Sequence, residues 1–290
     1  MSQQLLYRDL DQAALDREYN ARASVPSFDA EYARYVVESE RVKREIPHIP
    51  DIVYDQASGE TLDLYPAPPG APVFLWVHGG YWRATSKDDN AFVAAGLKAH
   101  SMAVAVMNYT LAPTVGLDEI VRQVRSAVAF LHRARPTFGL GEMPIAAGGS
   151  SAGGHLVGML LAAGWQDAFE IPKDVIGPAL ALSGLHDIDP LRHTQVNEWL
   201  NLDAGTITRN SPIRLIPAVS RAHLIASVGG LETSEFRRQT TDYAAAWHAA
   251  GHPVTNVDMM HHNHFDIALS LKDPDGPLTR AVADVTARFR

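Results

Sequence analysis

A serine flanked by glycines, in the run Gly149-Ser150-Ser151-Ala152-Gly153, most constrains what this 290-residue chain folds into. The run fits the pattern G-x-S-x-G with Ser151 at its centre. An apolar run, Met143 to Gly149, precedes it, and a helix-like apolar run, His155 to Ala163, follows it. A serine on a tight turn between a strand and a helix projects its hydroxyl, with the helix N-terminus beneath it. The sequence therefore predicts a strand, a strained turn and a helix, with Ser151 as a nucleophile.

Composition and charge exclude several classes of protein and of site. The net charge of -8 and the lack of any cluster of Lys and Arg argue against a nucleic-acid partner. Because the chain has no cysteine, disulfides, thiolate metal sites and a cysteine nucleophile are excluded. The first residues lack a basic segment followed by an apolar core, and no apolar run approaches the ~20 residues of a membrane span. We therefore expect a cytoplasmic protein with no signal peptide and no membrane partner.

Buried apolar runs and amphipathic segments alternate along most of the chain. This alternation favours a mainly parallel sheet with helices on both faces, in one α/β domain over residues 1–290. Strands buried on both faces explain why the runs are continuously apolar. Strands are predicted at 52–54, 61–65, 73–77, 102–107, 143–149, 179–183, 223–228 and 254–259, and helices at 87–99, 117–131, 155–163, 236–247 and 277–289.

Two segments depart from the alternation. Residues 1–46 are charged and helix-prone, and Tyr32, Tyr35, Val36 and Val37 suggest one buried stripe, so we interpret this segment as a helical arm that packs on the main domain. Residues 184–212 join two strands by an unusually long connection, which usually carries structure or function. We predict a small cap there, with a helix near 190–200.

A serine nucleophile needs a general base, and the base needs an acid that orients it. In the α/β-hydrolase arrangement the chain order is serine, acid, histidine. Glu232 follows the strand after the predicted cap and His264 follows the last strand, so these two are predicted as acid and base. Asp187 stays as an alternative acid, because it follows the preceding strand. His261 and His262 stay as alternative bases.

Structural roles also fit some of these residues. Glu232 would suit the start of a helix, where a negative charge is favourable, and Asp266 is interpreted as the cap of the following helix. A metal site at His261, His262 and His264 is disfavoured, because adjacent histidines at a strand end point to opposite faces and no carboxylate cluster accompanies them. No metal and no cofactor are therefore expected.

An oxyanion hole needs backbone N–H groups aimed at the developing negative charge. One is predicted at Ala152, which follows the nucleophile. The others are predicted at Gly79 and Gly80, in the loop after the 73–77 strand, because glycine lets the backbone approach the acyl oxygen closely. A simple turn at these glycines is the alternative.

The run His78-Gly79-Gly80-Tyr81-Trp82, with the G-x-S-x-G run, resembles the kynurenine formamidase (arylformamidase) branch of the α/β-hydrolases. Further likenesses are Asn108–Pro113, similar to a stretch of hormone-sensitive-lipase-type esterases, and Thr233–Phe236 and His264–Asp266, similar to the residues after the formamidase acid and at its histidine. The chain departs from the family pattern at Glu232, where an aspartate is usual.

The resemblance implies a metal-free serine hydrolase for a small amide or ester, foremost an aryl formamide such as N-formyl-kynurenine of tryptophan catabolism. Tyr81 and Trp82 are expected near the acyl pocket, where bulk favours a formyl group, and Trp199 is expected either against an aryl leaving group or in the core. A broad short-chain carboxylesterase is the alternative, and a ligand-binding protein without catalysis is a remote one. A homodimer through the cap is the candidate assembly.

Overall fold

The structure, a computed structural model, describes residues 4–289, and in that range eight strands form one sheet in the order β1-β2-β4-β3-β5-β6-β7-β8. The strands are β1 (Ile49–Asp55), β2 (Glu60–Tyr65), β3 (Val73–Val77), β4 (Ala103–Met107), β5 (Ile145–Ser150), β6 (Ile176–Leu182), β7 (His223–Ser227) and β8 (Val254–Asn256). The α-helices are α1 (Gln12–Glu18), α2 (Phe28–Glu45), α3 (Val93–Ala99), α4 (Leu117–Arg133), α5 (Arg135–Phe138), α6 (Ala152–Leu161), α7 (Asn197–Leu200), α8 (Ala204–Arg209), α9 (Ser234–Ala249), α10 (Asp266–Leu269) and α11 (Pro277–Ala287).

Strand direction places the segments that carry the predicted site residues at one edge of the sheet. β1 and β2 form an antiparallel hairpin, β2 pairs antiparallel with β4, and the other neighbours are parallel. Parallel strands joined through helices end at a common edge, where α/β proteins bind their ligands. The segments that follow β3, β5, β7 and β8 therefore start from the same edge.

The sheet is buried between two layers of helices. In β3, Val73, Leu75 and Val77 face one apolar cluster, shared with α4, α6 and α9. Phe74 and Trp76 alternate to the other face and meet residues of α2, α3 and α11. The prediction of a mainly parallel sheet covered on both faces is therefore confirmed.

Several local predictions were wrong in extent. The helix predicted over 87–99 is a 3₁₀ turn, Lys87–Asn90, followed by the separate helix α3. Instead of one helix near 190–200, the chain makes a 3₁₀ turn, Asp189–His193, and then the short helix α7. Pro190 lies in the first turn of the 3₁₀ segment, where its missing N–H is tolerated. Short turns of this kind lack the repeated apolar spacing that reveals a long helix.

The predicted buried stripe of the arm is corrected at one residue. Its other three members are half-buried, but Val37 is 65% exposed. The face of α2 that carries Tyr35 continues with the buried Ser39 and Val42, which recur at helical spacing. Val37 lies two residues beyond Tyr35 and therefore on another side of the helix. None of the helices within residues 4–289 has the length and apolar character needed to cross a bilayer.

Three of the buried histidines have pKa values well below the ordinary one. Burial lowers the pKa of His78 and His155 to about 4, and burial together with nearby His155 lowers the pKa of His186 to about 3. His186 stacks on Tyr243 with ring centroids 4.0 Å apart. Among residues 4–289 neither of its ring nitrogens has a hydrogen-bond partner. The three imidazoles are therefore neutral at pH 7.

These histidines make the fold sensitive to acid. The unfolded chain takes up their protons near the ordinary pKa of ~6.5, whereas the folded chain resists protonation until about 4 or about 3. The free energy of unfolding is therefore not reduced by these histidines above the unfolded pKa, and it falls as the pH drops through this window. His186→Phe keeps an aromatic ring on Tyr243 but cannot take up a proton. Between pH 7 and pH 5, its free energy of unfolding should therefore fall by about 2 kcal/mol less than that of the unmodified protein.

Urea unfolding of both proteins at the two pH values measures this difference. His248→Gln, at an exposed histidine of α9, is the matched control and should leave the loss unchanged. An equal acid loss in His186→Phe and the unmodified protein would contradict the prediction.

Candidate active site

Ser151 lies on a strained turn between β5 and α6. Its backbone has φ 59° and ψ -117°, a conformation that costs a non-glycine residue free energy and is typical of a nucleophile turn. Its N–H donates to the carbonyl of Leu182 over 2.9 Å, which fixes the turn against β6. A Cβ on Gly153 would overlap the carbonyl oxygen of Val77, and one on Gly149 would lie 2.8 Å from the same oxygen. Glycine is therefore required on both sides of the serine.

The loop after β3 packs directly against this turn. A Cβ on Gly79 would lie 2.9 Å from the carbonyl oxygen of Ser150 and 3.4 Å from Cβ of Ser151. Gly80 has φ 94°, which favours glycine. Ala152 is the first residue of α6, so its N–H has no partner inside the helix. Of the residues predicted for an oxyanion hole, Gly79 and Ala152 therefore lie beside the serine, and Gly80 follows in the same loop.

A buried histidine, for which the sequence predicted no role of its own, supports that loop. The ring of His78 stacks on Tyr109 with centroids 4.2 Å apart. The hydroxyl of Tyr109 donates to the carbonyls of His78 and Gly79 over 3.1 and 3.2 Å. Thr85 Oγ1 lies 3.0 Å from His78 Nδ1. These contacts fix the direction of the loop carbonyls and hence of the intervening N–H groups.

Glu232 and His264 form a buried pair. Glu232 Oε2 lies 2.5 Å from His264 Nδ1, and each residue is 5% exposed. The other carboxylate oxygen, Oε1, accepts from the hydroxyl of Ser183 at 2.6 Å and from the N–H of Gly229 at 2.7 Å. Phe236 packs on the imidazole with ring centroids 4.4 Å apart. Because Nδ1 is held by the acid, Nε2 is the nitrogen left to exchange a proton.

The alternative acid and bases have other partners. The Asp187 carboxylate accepts from the Tyr7 hydroxyl and pairs with Arg214, both at 3.0 Å. His262 Nδ1 lies 3.2 Å from Asp266, and His261 is exposed. Within the described part of the chain, no three His, Asp or Glu side chains are grouped so that they could hold a metal ion.

A cavity of about 1120 Å³ opens at this edge of the sheet, and both Ser151 and His264 line it. Tyr81 and Trp199, two of the residues expected to contact substrate, also line it, and Trp199 Nε1 donates to the Tyr81 carbonyl over 3.0 Å. Trp82 does not. Its side chain is fully buried and packs edge-on against His155, with ring centroids 4.9 Å apart. The expectation for Trp82 is corrected, because the left-handed turn sends its ring into the core.

The arm contributes to the walls of the cavity and to its supporting loops. The Tyr81 hydroxyl donates to the carbonyl of Tyr19 over 2.6 Å, and burial raises the pKa of Tyr81 far above its ordinary value, so the hydroxyl stays protonated. Glu18 accepts from Ser234 Oγ at 2.7 Å and from the N–H of Glu235 at 3.2 Å, at the start of α9. The arm therefore fixes both the loop after β3 and the segment that follows Glu232.

Comparison with known proteins identifies relatives over most of the chain. It is 32% identical to a kynurenine formamidase of Danio rerio over 83% of each protein, and 30% identical to one of Salmo salar over 94% of this chain and 96% of that protein. The chain belongs to the kynurenine formamidase family. Residues 62–175 also match the family model BD-FAE.

Solved structures agree with the α/β-hydrolase fold. A proposed thioesterase from Silicibacter superposes with a TM-score of 0.81 at 28% identity, over 92% of this chain and 98% of that one. The carboxylesterase EstE1 superposes with a TM-score of 0.73 at 15% identity, over 98% of this chain and all of that one. This member of the kynurenine formamidase family is a hydrolase.

Ser183 generates the first prediction about the site. Removing its hydroxyl takes one of the hydrogen bonds from the buried Glu232 carboxylate, which then holds the imidazole less firmly. Ser183→Ala should lower kcat toward p-nitrophenyl acetate about tenfold and leave KM nearly unchanged, because this serine is fully buried and does not line the cavity. Ser227→Ala removes another buried strand-end hydroxyl, which bonds Val257, and is the matched control. Equal losses in the two variants would contradict the assignment.

Glu18 generates the second prediction about the site. Glu18→Ala removes an acceptor from the first turn of α9, at a cost of about 1 kcal/mol in the free energy of unfolding. We expect kcat to fall as well, because the same turn follows Glu232. Glu40→Ala, on the exposed side of α2, should alter neither quantity. If the Glu18→Ala protein is destabilised but keeps the kcat of the unmodified protein, the arm does not help to position Glu232, and the prediction is wrong.

Proposed function

We propose that this hydrolase cleaves an aryl formamide, foremost N-formyl-kynurenine, through a formyl ester of Ser151. The observation that carries the proposal is the cavity that both the strained Ser151 and His264 line, with His264 itself held by Glu232. A serine needs such a base to become nucleophilic, and the base needs an acid to fix its tautomer. The family of the chain supports the formamide as substrate.

In the acylation step, Ser151 Oγ attacks the formyl carbon while His264 Nε2 takes the hydroxyl proton. The N–H groups of Gly79, Gly80 and Ala152 stabilise the tetrahedral oxyanion. The C–N bond then breaks as the imidazolium returns its proton to the leaving nitrogen. This transfer is essential, because an unprotonated amine leaves poorly. The products of the step are the arylamine and the formyl ester.

In the deacylation step, water replaces the arylamine. His264 takes a proton from water as it attacks the ester carbonyl, and the same N–H groups stabilise the second oxyanion. Collapse of that intermediate returns the proton to Ser151 Oγ and releases formate. Glu232 stabilises the imidazolium in both steps. Glutamate reaches the imidazole here because the loop after β7 holds its carboxylate by the Gly229 N–H.

A short-chain carboxylesterase is the second candidate. It is favoured by the cavity volume of about 1120 Å³, which leaves room for acyl groups larger than formyl. Trp82 is buried in the core and does not line the cavity, so only one of the two bulky side chains expected to restrict the acyl group, Tyr81, is on its wall. The two candidates share the acyl-serine chemistry and differ in acyl length and leaving group.

The deciding experiment compares substrates on one enzyme preparation. We expect kcat/KM for N-formyl-kynurenine to exceed that for p-nitrophenyl acetate, and both to exceed those for butyryl and longer esters. Ser151→Ala should abolish turnover, by a factor of about 10⁴ or more, and abolish labelling by a fluorophosphonate probe, with the melting temperature retained. Turnover of esters alone, or a preference for long acyl chains, would overturn the formamidase proposal and leave the serine mechanism.

A further inference from the structure

Two guanidinium groups on the cavity wall have no carboxylate partner. Arg83 follows the loop after β3, and Arg22 lies in the arm, in the 3₁₀ turn Ala21–Ser24. Neither forms an ion pair with any residue between 4 and 289. The third arginine of the wall, Arg192, is paired with Asp189 at 3.1 Å. Asp16 and Glu198 line the same cavity, so its wall presents groups of both signs that are unpaired within the described residues, and Arg22 and Arg83 are its two unpaired cations there.

Each of the two arginines lies over an aromatic ring that also lines the cavity. The Arg83 guanidinium carbon is 4.6 Å from the ring centroid of Trp199, and that of Arg22 is 4.2 Å from the ring centroid of Phe28. Such stacking uses the flat face of the guanidinium and leaves the N–H groups at its edge free to donate. The two groups are therefore oriented without being neutralised.

Arg83 is part of a connected unit. Trp199, on which it stacks, donates through Nε1 to the carbonyl of Tyr81, two residues before Arg83. The same loop carries Gly79, which lies beside Ser151, and Gly80. A ligand group bound by Arg83 is therefore held by the segment that also supplies backbone N–H groups to the proposed oxyanion hole.

We propose that Arg83 and Arg22 bind a carboxylate on the leaving-group side of the substrate. N-formyl-kynurenine, the substrate proposed above, carries such a carboxylate, so this inference rests on the proposed function and adds to it the two residues that recognise the carboxylate. Planar guanidinium edges match a carboxylate with two parallel hydrogen bonds. Asp16 and Glu198 line the same cavity without an ion pair in the described chain, and they suit a substrate that also carries an ammonium group.

The test uses two substrates that differ in one group. The first is an aryl formamide with a short ortho acyl chain ending in a carboxylate, and the second has a primary amide in place of that carboxylate. We expect the unmodified enzyme to favour the carboxylate in kcat/KM. We also expect added NaCl to reduce this preference, because salt screens exposed charges.

Arg83→Gln and Arg22→Gln remove one charge each. Each should lower the ratio of kcat/KM, carboxylate over amide, about tenfold, mainly through KM of the carboxylate substrate. Arg83→Lys retains the charge and should lose less of the ratio. Arg44→Gln is the matched control and should leave the ratio unchanged, because this exposed arginine at the end of α2 lies outside the cavity and has no ion pair among the described residues.

An unmodified enzyme that does not distinguish the two formamides would overturn the inference, as would a ratio that neither glutamine variant changes. If no formamide is hydrolysed, the proposed function fails and the subsite is tested separately. The pair p-acetoxybenzoate and p-acetoxybenzamide then carries the same comparison on an ester. Calorimetric binding of the formamide pair to Ser151→Ala gives the same ratio without turnover.

Discussion

The whole site depends on backbone contact between the start of α6 and the end of β3. Gly149 and Gly153 have no side chains, so the Val77 carbonyl lies where a Cβ would otherwise sit. That contact forces the turn between them into the left-handed conformation of Ser151. It also brings the loop after β3, with Gly79, against the serine. The proposed nucleophile and the proposed oxyanion hole are thus two consequences of one packing arrangement.

A second constraint is the buried carboxylate of Glu232. A charge taken out of water needs several good partners, or it destabilises the fold. Here the imidazole of His264 satisfies one oxygen, and Ser183 and the Gly229 N–H satisfy the other. Ser183 itself has φ 49°, so the end of β6 is strained in order to direct its hydroxyl to the acid. The fold therefore holds strained serines at the ends of two adjacent strands.

Sequence reasoning predicted the features that depend on periodicity or on a short motif. The parallel sheet follows from alternating apolar runs, and the surroundings of Ser151 follow from glycines at fixed spacing. What it missed depends on contacts between distant residues. Ser183 is an ordinary serine in sequence, and only the pairing of β6 with β7 brings it to the acid. The side to which Trp82 turns is likewise set by two left-handed residues, which no pattern indicates.

Chemistry and recognition are built from different parts of this chain. The proposed nucleophile, base and acid come from the sheet edge, whereas the cavity wall comes largely from the arm and from residues 192–199. The two parts meet where Tyr19 accepts the hydroxyl of Tyr81 and where Trp199 donates to the carbonyl of that same tyrosine. A change of arm or cap that kept these two hydrogen bonds would alter the substrate without disturbing the nucleophile turn. Substrate choice in this fold is therefore expected to vary through residues of the arm and the cap, such as Arg22 and Trp199, while the sheet edge stays constant.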